Sequence, residues 1–221
     1  MKLQLSDFKI IILVFALVAG FAAKGTRAHA AETEILTVAG GCFWCVEADF
    51  ERVTGVEEVI SGYTGGTTEH PTYREVTRGG TGHYEAVQII FDPDRVSRAS
   101  LVSMFLRSID PVDAGGQFCD RGDAYRTAIF VNDASERELA ENAVATAQAE
   151  LGQTIVTPVL PAAPFYVAED YHQDYYKGEN RVLTRFGAIT QADAYKRYRE
   201  GCGRDQRVRE LWGDQAPFVG G

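Results

Sequence analysis

Two thiols, Cys42 and Cys45, stand three residues apart in Gly40-Gly41-Cys42-Phe43-Trp44-Cys45. A thiol attacks as its thiolate, so the surroundings that ionise it decide what it can do. Strand-like Ile35-Leu36-Thr37-Val38 precedes the pair, and Phe43, Val46, Phe50 and Val53 follow at helical spacing. Cys42 is therefore expected at a strand-to-helix turn, where free backbone N–H groups and the helix dipole lower a cysteine pKa. Glu47, Asp49 and Glu51 suit the same dipole. The plainer reading is a packed cysteine, half of a disulfide or a zinc knuckle. The glycines and the paired thiols favour redox chemistry.

A candidate proton donor is Glu85, in His83-Tyr84-Glu85-Ala86-Val87-Gln88-Ile89-Ile90-Phe91. Period-two alternation puts it on one face with Val87, Ile89 and Phe91, where desolvation would raise its pKa. Tyr63, between Gly62 and Gly65-Gly66, is expected on a tight loop with its hydroxyl free to donate. The polar stretch from Asp110 to Arg126 holds Cys119, Asp120 and Tyr125, and loops of that length are usually functional or mobile. The aromatic run Phe165–Tyr176 reads as core or wall, with His172 a hydrogen-bonded structural residue before it is a base. Gly201-Cys202-Gly203 places a thiol on a segment expected to bend.

The elements that must position these groups alternate without a strict βαβ rhythm. Helices are expected at 43–53, from Ser97 to about Ser108, from a Ser135–Glu138 capping box to Leu151, and over 168–177, 192–200 and 206–212. Strands are expected at 56–61, 83–91, 126–131 and 155–160, the last at an edge because of Pro158. The pattern predicts an α+β two-layer sandwich, a mixed β-sheet with flanking helices.

The chain has 221 residues and a net charge of −9, enough for one substantial domain, read as 31–221. Residues 1–30 read as a signal peptide: Lys2 and Lys9, an apolar run from Ile10 to Ala23, then Ala28-His29-Ala30, with cleavage before Ala31. Its removal moves the charge to about −12. Such an acidic chain without a basic run is not expected to bind nucleic acid or insert stably in a membrane. The expected location is periplasmic or secreted.

Six segments in order resemble the peptide methionine sulfoxide reductase A family: GGCFWC at 40–45, SGYTGG at 61–66, TGHYEAV at 81–87, QFCDRGDAYR at 117–126, FYVAEDYHQDYY at 165–176 and YKRYREGCGRDQR at 195–207. The resemblance implies a ferredoxin-like core with a long C-terminal coil, and reduction of the S epimer of methionine sulfoxide, protein-bound and free. It makes Cys42 the nucleophile, Glu85 the acid, and Tyr63 and Tyr125 the phenols that bind the sulfoxide oxygen. Phe43 and Trp44 become the seat of the S-methyl group, and Asp120 lies beside the substrate backbone. Cys42 sulfenic acid would condense with a resolving thiol, Cys202 first or Cys45, with Cys119 third. A thioredoxin-like donor would recycle the disulfide, with no metal and no organic cofactor, in a monomer. The sequence departs from many relatives at Cys45, commonly glycine there, and in a longer stretch from Gly178 to Ala194.

Three other readings compete. A disulfide oxidoreductase using Cys42 and Cys45 alone would have no use for Glu85 or Tyr63. A zinc module would need close cysteine pairs, whereas Cys119 and Cys202 are singletons. A cysteine hydrolase built on Cys42 and His172 lacks an evident third group.

Overall fold

In chain order, the computed structural model forms β1 (Glu34–Gly40), α1 (Phe43–Phe50), β2 (Val56–Thr64), α2 (Tyr73–Arg78), β3 (Tyr84–Phe91), α3 (Arg98–Ser108), β4 (Gly116–Gln117), β5 (Asp120–Arg121), β6 (Thr127–Val131), α4 (Ala134–Leu151), β7 (Val159–Pro161), β8 (Tyr166–Val167), β9 (Arg181–Thr184), β10 (Gly187–Thr190), α5 (Gln191–Gly201) and α6 (Arg204–Trp212). It describes residues 32–220. The signal segment expected at 1–30, and its cleavage point, lie outside those residues.

The architecture is mixed α+β. Six strands join in the order β7-β6-β1-β3-β2-β8; every pairing is antiparallel except β6 with β7. On β3, Val87, Ile89 and Phe91 turn into the main core with Phe43, Val46 and Phe50 of α1, Leu101 and Phe105 of α3, Ala140 of α4 and Val208 of α6. Tyr84 and Ala86 turn the other way, against Ala39, Ala128 and Phe130. Alternation along β3 thus carries Glu85 to the core side, where it is 1% exposed.

Several local expectations shift. The first helix stops at Phe50, not Val53, and because it starts at Phe43, Glu47 and Asp49 fall outside its first turn; both are buried and paired, and do not act as dipole partners. The α4 cap is Asp133, whose side chain accepts from Glu136 N at 2.9 Å, two residues before the expected box. Tyr63 is not on a loop: β2 runs through it to Thr64 because it pairs with Glu85 of β3. No helix spans 168–177. Gln173 is extended and Asp174 sits at φ 56°, which splits the run into two 3₁₀ turns, Asp170–His172 and Tyr175–Lys177. The long C-terminal coil is replaced by the β9–β10 hairpin and two helices, stopped and restarted by Gly203 at φ 69°.

One glycine fixes the approach to the thiols. Gly41 has φ 80°, and a Cβ there would lie 2.5 Å from Cβ of Gln117. Gln117 has no room to yield, since its amide bonds Asp110 N, Asp110 O and Gly116 O at 2.8 Å each. Gly41→Ala is expected to destabilise the fold by about 2–4 kcal/mol, combining left-handed strain with overpacking. Urea unfolding checks this; a change below about 0.5 kcal/mol, ordinary for surface positions, would show that the turn is not constrained.

Candidate active site

Cys42 occupies the N-cap position of α1 and makes no capping bond. The free N–H of Phe43 instead donates to Glu85 Oε2 at 3.1 Å, binding the helix start to the end of β3. Burial pushes the Glu85 carboxyl up to about 8, against the pull of the Phe43 N–H, with Asp120 and Cys45 adding to the rise and Tyr125 opposing it. At neutral pH it therefore holds a proton, available to an acceptor beside Cys42.

The thiol pair behaves differently from the expectation of a lowered Cys42. Both sulfurs are buried and free, and they share a hydrogen bond. Burial raises Cys42 well above an ordinary thiol, and Cys45, Glu85 and Asp120 add to it. The dipole of an eight-residue helix does not outweigh that company. Cys45 moves the other way: its bond to Cys42 lowers it, burial opposes, and Arg204 and Arg199 lower it further. Of the two, Cys45 is the thiol that its surroundings favour for ionisation.

The phenols also rearrange. Tyr63 donates its hydroxyl to Glu169 Oε2 at 2.8 Å, so its proton is already committed. Glu169 accepts the Tyr73 N–H as well, at 2.9 Å. Beside Tyr125 stands Tyr73, which the sequence reading passed over. Burial raises both phenols, and Glu85 and Cys42 act on both. The Thr72–Glu75 capping box that opens α2 was the one local sign that this stretch is ordered.

Aromatic rings wall the site. Phe43, 1% exposed, packs its ring against Tyr63, Tyr73 and His172 at 5.1–6.4 Å between centroids. Trp44 is half-buried, stacked on Tyr175 at 3.8 Å, with the edge of Tyr198 at 6.2 Å. Its indole N–H donates to His172 Nδ1 at 3.2 Å. Burial lowers His172 to about 4, with Glu169 opposing, so the ring is neutral and its Nδ1 lone pair is already used. That makes it a structural histidine, not the base of a hydrolase.

Asp120, on β5, accepts the Tyr198 hydroxyl; burial raises its carboxyl while Tyr198 and Arg204 pull it down. Next to it, Cys119 is joined to Cys202 at the end of α5, with their Cα atoms 4.9 Å apart. Cys202, expected as a travelling thiol, is thus bonded to Cys119 in this structure, and Tyr198 of the last turn of α5 reaches Asp120 beside that bond. Two of the four thiols a zinc module would need are consumed in this bond. A cavity of about 470 Å³ opens beside it, lined by Trp44, Tyr175, Tyr198, Phe186, Cys119 and Cys202.

A proton-bearing carboxyl over a thiol pair, with phenols alongside, defines a thiol-dependent oxidoreductase. The family model described as peptide methionine sulfoxide reductase matches residues 34–213. The chain is 50% identical over 189 residues to peptide methionine sulfoxide reductase MsrA 2 of Rhizobium meliloti (strain 1021), covering 86% of this chain and 88% of that one. It is 49% identical over 183 residues to MsrA of Bacillus subtilis (strain 168), covering 81% and 96%. Among solved structures, methionine sulfoxide reductase A of Corynebacterium diphtheriae superimposes with a TM-score of 0.59 at 33% identity, over 67% of this chain and 76% of that one. Reduced Mxr1 of Saccharomyces cerevisiae gives 0.63 at 27%, over 69% and 88%. This chain belongs to the peptide methionine sulfoxide reductase family. Its activity is the thiol-dependent reduction of peptide methionine-S-sulfoxide.

Purified without reductant and then unfolded, the protein should show two free thiols and a peptide cross-linked between Cys119 and Cys202. Four free thiols on titration would show that the second pair is open.

Proposed function

We propose that Cys42 attacks the sulfur of methionine-S-sulfoxide, in proteins and free, while Glu85 delivers its proton to the departing oxygen. The observation that carries this is the buried Glu85 carboxyl, which accepts the Phe43 N–H at the nucleophile's own helix start and is raised by that burial. A sulfoxide sulfur is a poor electrophile until its oxygen is protonated or strongly hydrogen-bonded. Tyr125 and Tyr73, the two phenols that Glu85 and Cys42 both act on, are the donors we assign to that oxygen. Tyr63, engaged with Glu169, supports the site from behind. Phe43 and Trp44 offer the apolar seat for the S-methyl group, and Asp120, once Tyr198 yields it, an acceptor for a substrate backbone N–H.

The products are methionine and Cys42 sulfenic acid. A second thiol condenses with the sulfenic acid to a disulfide and water, and a thioredoxin-like dithiol restores the pair by exchange. None of these steps calls for a metal or an organic cofactor. The helices gathered on one sheet face support the finer description of the fold as a two-layer, ferredoxin-like core. The charged start, apolar run and Ala28-His29-Ala30 support export, cleavage before Ala31 and work outside the cytoplasm.

Cys42→Ser should abolish methionine formation; a variant that kept the wild-type rate would sink the assignment. Glu85→Gln should slow the single-turnover reductase step about 10²–10⁴-fold. The pH sign follows from the raised carboxyl: the donor form is present below about 8 and lost above it. The wild-type step should therefore fall as pH rises through about 8, and Glu85→Gln should remove that fall. An unchanged descending limb in the variant would take Glu85 out of the donor role.

A further inference from the structure

Beneath the thiol pair lies a buried charge cluster that attack on the sulfoxide does not use. Asp49 follows Cys45 by four residues on α1, so the two share one face of that helix; both are buried. Arg199 of α5 reaches Asp49 Oδ1 through Nη1 at 2.8 Å, and the same nitrogen donates to the Tyr195 hydroxyl at 3.0 Å. Its other side meets the half-buried Asp205, with Nε at 2.9 Å from Oδ1. Arg204, at the start of α6 and 2% exposed, donates only to the carbonyls of Gly40 at 3.4 Å and Ser108 at 3.0 Å. Its Nε has no hydrogen-bond partner, nor does Asp49 Oδ2, which lies 3.7 Å away. Two guanidiniums thus share one fully buried carboxylate, Arg199 through a direct hydrogen bond and Arg204 as a looser ion pair, with Asp205 facing Arg199 from the half-buried side.

We propose that Arg204 and Arg199 are positioning residues that hold Cys45 as the thiolate which closes on Cys42 after Cys42 has become sulfenic acid. The inference rests on the sulfenic acid of the proposed function. Cys45 is the thiol already touching Cys42, and the first turn of α1 keeps it there, with Cys45 N donating to Cys42 O at 3.1 Å. Cys202 is tied to Cys119. The titratable and charged groups facing this pair are Asp49 on α1, Tyr73 on α2, Glu85 on β3, Asp120 on β5, Tyr125 before β6, Tyr175 in the second 3₁₀ turn, Tyr195, Tyr198 and Arg199 on α5, and Arg204 on α6. The carboxyls of Glu85 and Asp120 press on Cys42, whereas the two arginines favour charge on Cys45, with Asp49 opposing them. In the step itself, the Cys45 thiolate attacks the Cys42 sulfur, the S–S bond forms and the S–O bond breaks. Cys45 is oxidised, the sulfenic sulfur is reduced, and hydroxide leaves as water with one proton from its surroundings.

The test is one turnover of a fully reduced Cys119→Ser/Cys202→Ser protein with one equivalent of an S-epimer methionine sulfoxide peptide, counting thiols and methionine. Loss of two thiols and a Cys42–Cys45 cross-link in the digest is the expected result. A lasting sulfenic acid, trapped by a 1,3-dione, would overturn the inference and leave the reductase standing. Wild-type protein run alongside separates the two readings, since no methionine from it would overturn the proposed function itself. The closure rate is then followed against pH in the otherwise wild-type chain. Arg204→Met should move its midpoint up and Asp49→Asn should move it down, each by about one pH unit, with Arg204→Lys restoring most of the shift. A merely structural role would slow closure in every variant without opposed shifts. Midpoints that stay together, or a faster closure in none of them, would overturn the assignment of the arginines.

Discussion

A helix start leaves N–H groups that need an acceptor, and a side chain at the N-cap usually provides it. Here the N-cap is Cys42, whose sulfur makes no such bond, and the acceptor is Glu85 from the neighbouring strand. That exchange of partners leaves the sulfur unengaged by the backbone and fixes a carboxyl beside it. It also joins α1 to β3 at one point, so the nucleophile and the acid cannot drift apart without unzipping a helix from a central strand. Burial then does the rest: the same desolvation that keeps a proton on Glu85 also keeps Cys42 from ionising at rest.

Around this joint, the polar groups that do no chemistry take one another as partners. Glu169 gathers the Tyr63 hydroxyl and the Tyr73 N–H, while His172 takes the Trp44 indole N–H. Gln173 clamps Ser61 through its backbone N–H at 2.9 Å and carbonyl at 3.0 Å. The segment 169–177 is thus pinned to α1, α2 and β2 by side chains, not by a helix of its own. Lys177 completes the pinning, bridging Glu51 at 2.9 Å and Asp174 at 2.8 Å. The irregular backbone there is what lets Tyr175 lie flat on Trp44 while His172 reaches its edge.

Much of this was legible in the chain because it is local. The strand-to-helix turn at Cys42 follows from a period change between Val38 and Phe43, and the inward Glu85 follows from alternation along β3. What escaped is decided over long sequence distances. Tyr63 and Tyr73 differ in role because one meets Glu169, 106 residues away, through its hydroxyl and the other through its backbone. No local pattern tells those apart. The direction of the Cys42 shift lay beyond local pattern for the same reason, since the burial that raises it comes from elements far along the chain, with Cys45, Glu85 and Asp120 adding to it. The 168–177 run carries helical spacing, yet a left-handed Asp174 breaks it, and the C-terminal cysteine found its partner 83 residues back.

The Cys119–Cys202 bond closes a covalent ring, and the ring divides the site. Asp120, Tyr125, Glu169, His172, Tyr198 and Arg199 lie within it, while Cys42, Cys45, Tyr73 and Glu85 lie outside. In the chain-entropy picture, closing a loop of this size removes about 4–5 kcal/mol of freedom from the unfolded chain. That restraint acts on the enclosed walls, with Asp120 and Tyr125, and not on the two thiols or the acid. A dithiol that opens the ring would loosen the enclosure while leaving every bond-making atom attached where it was.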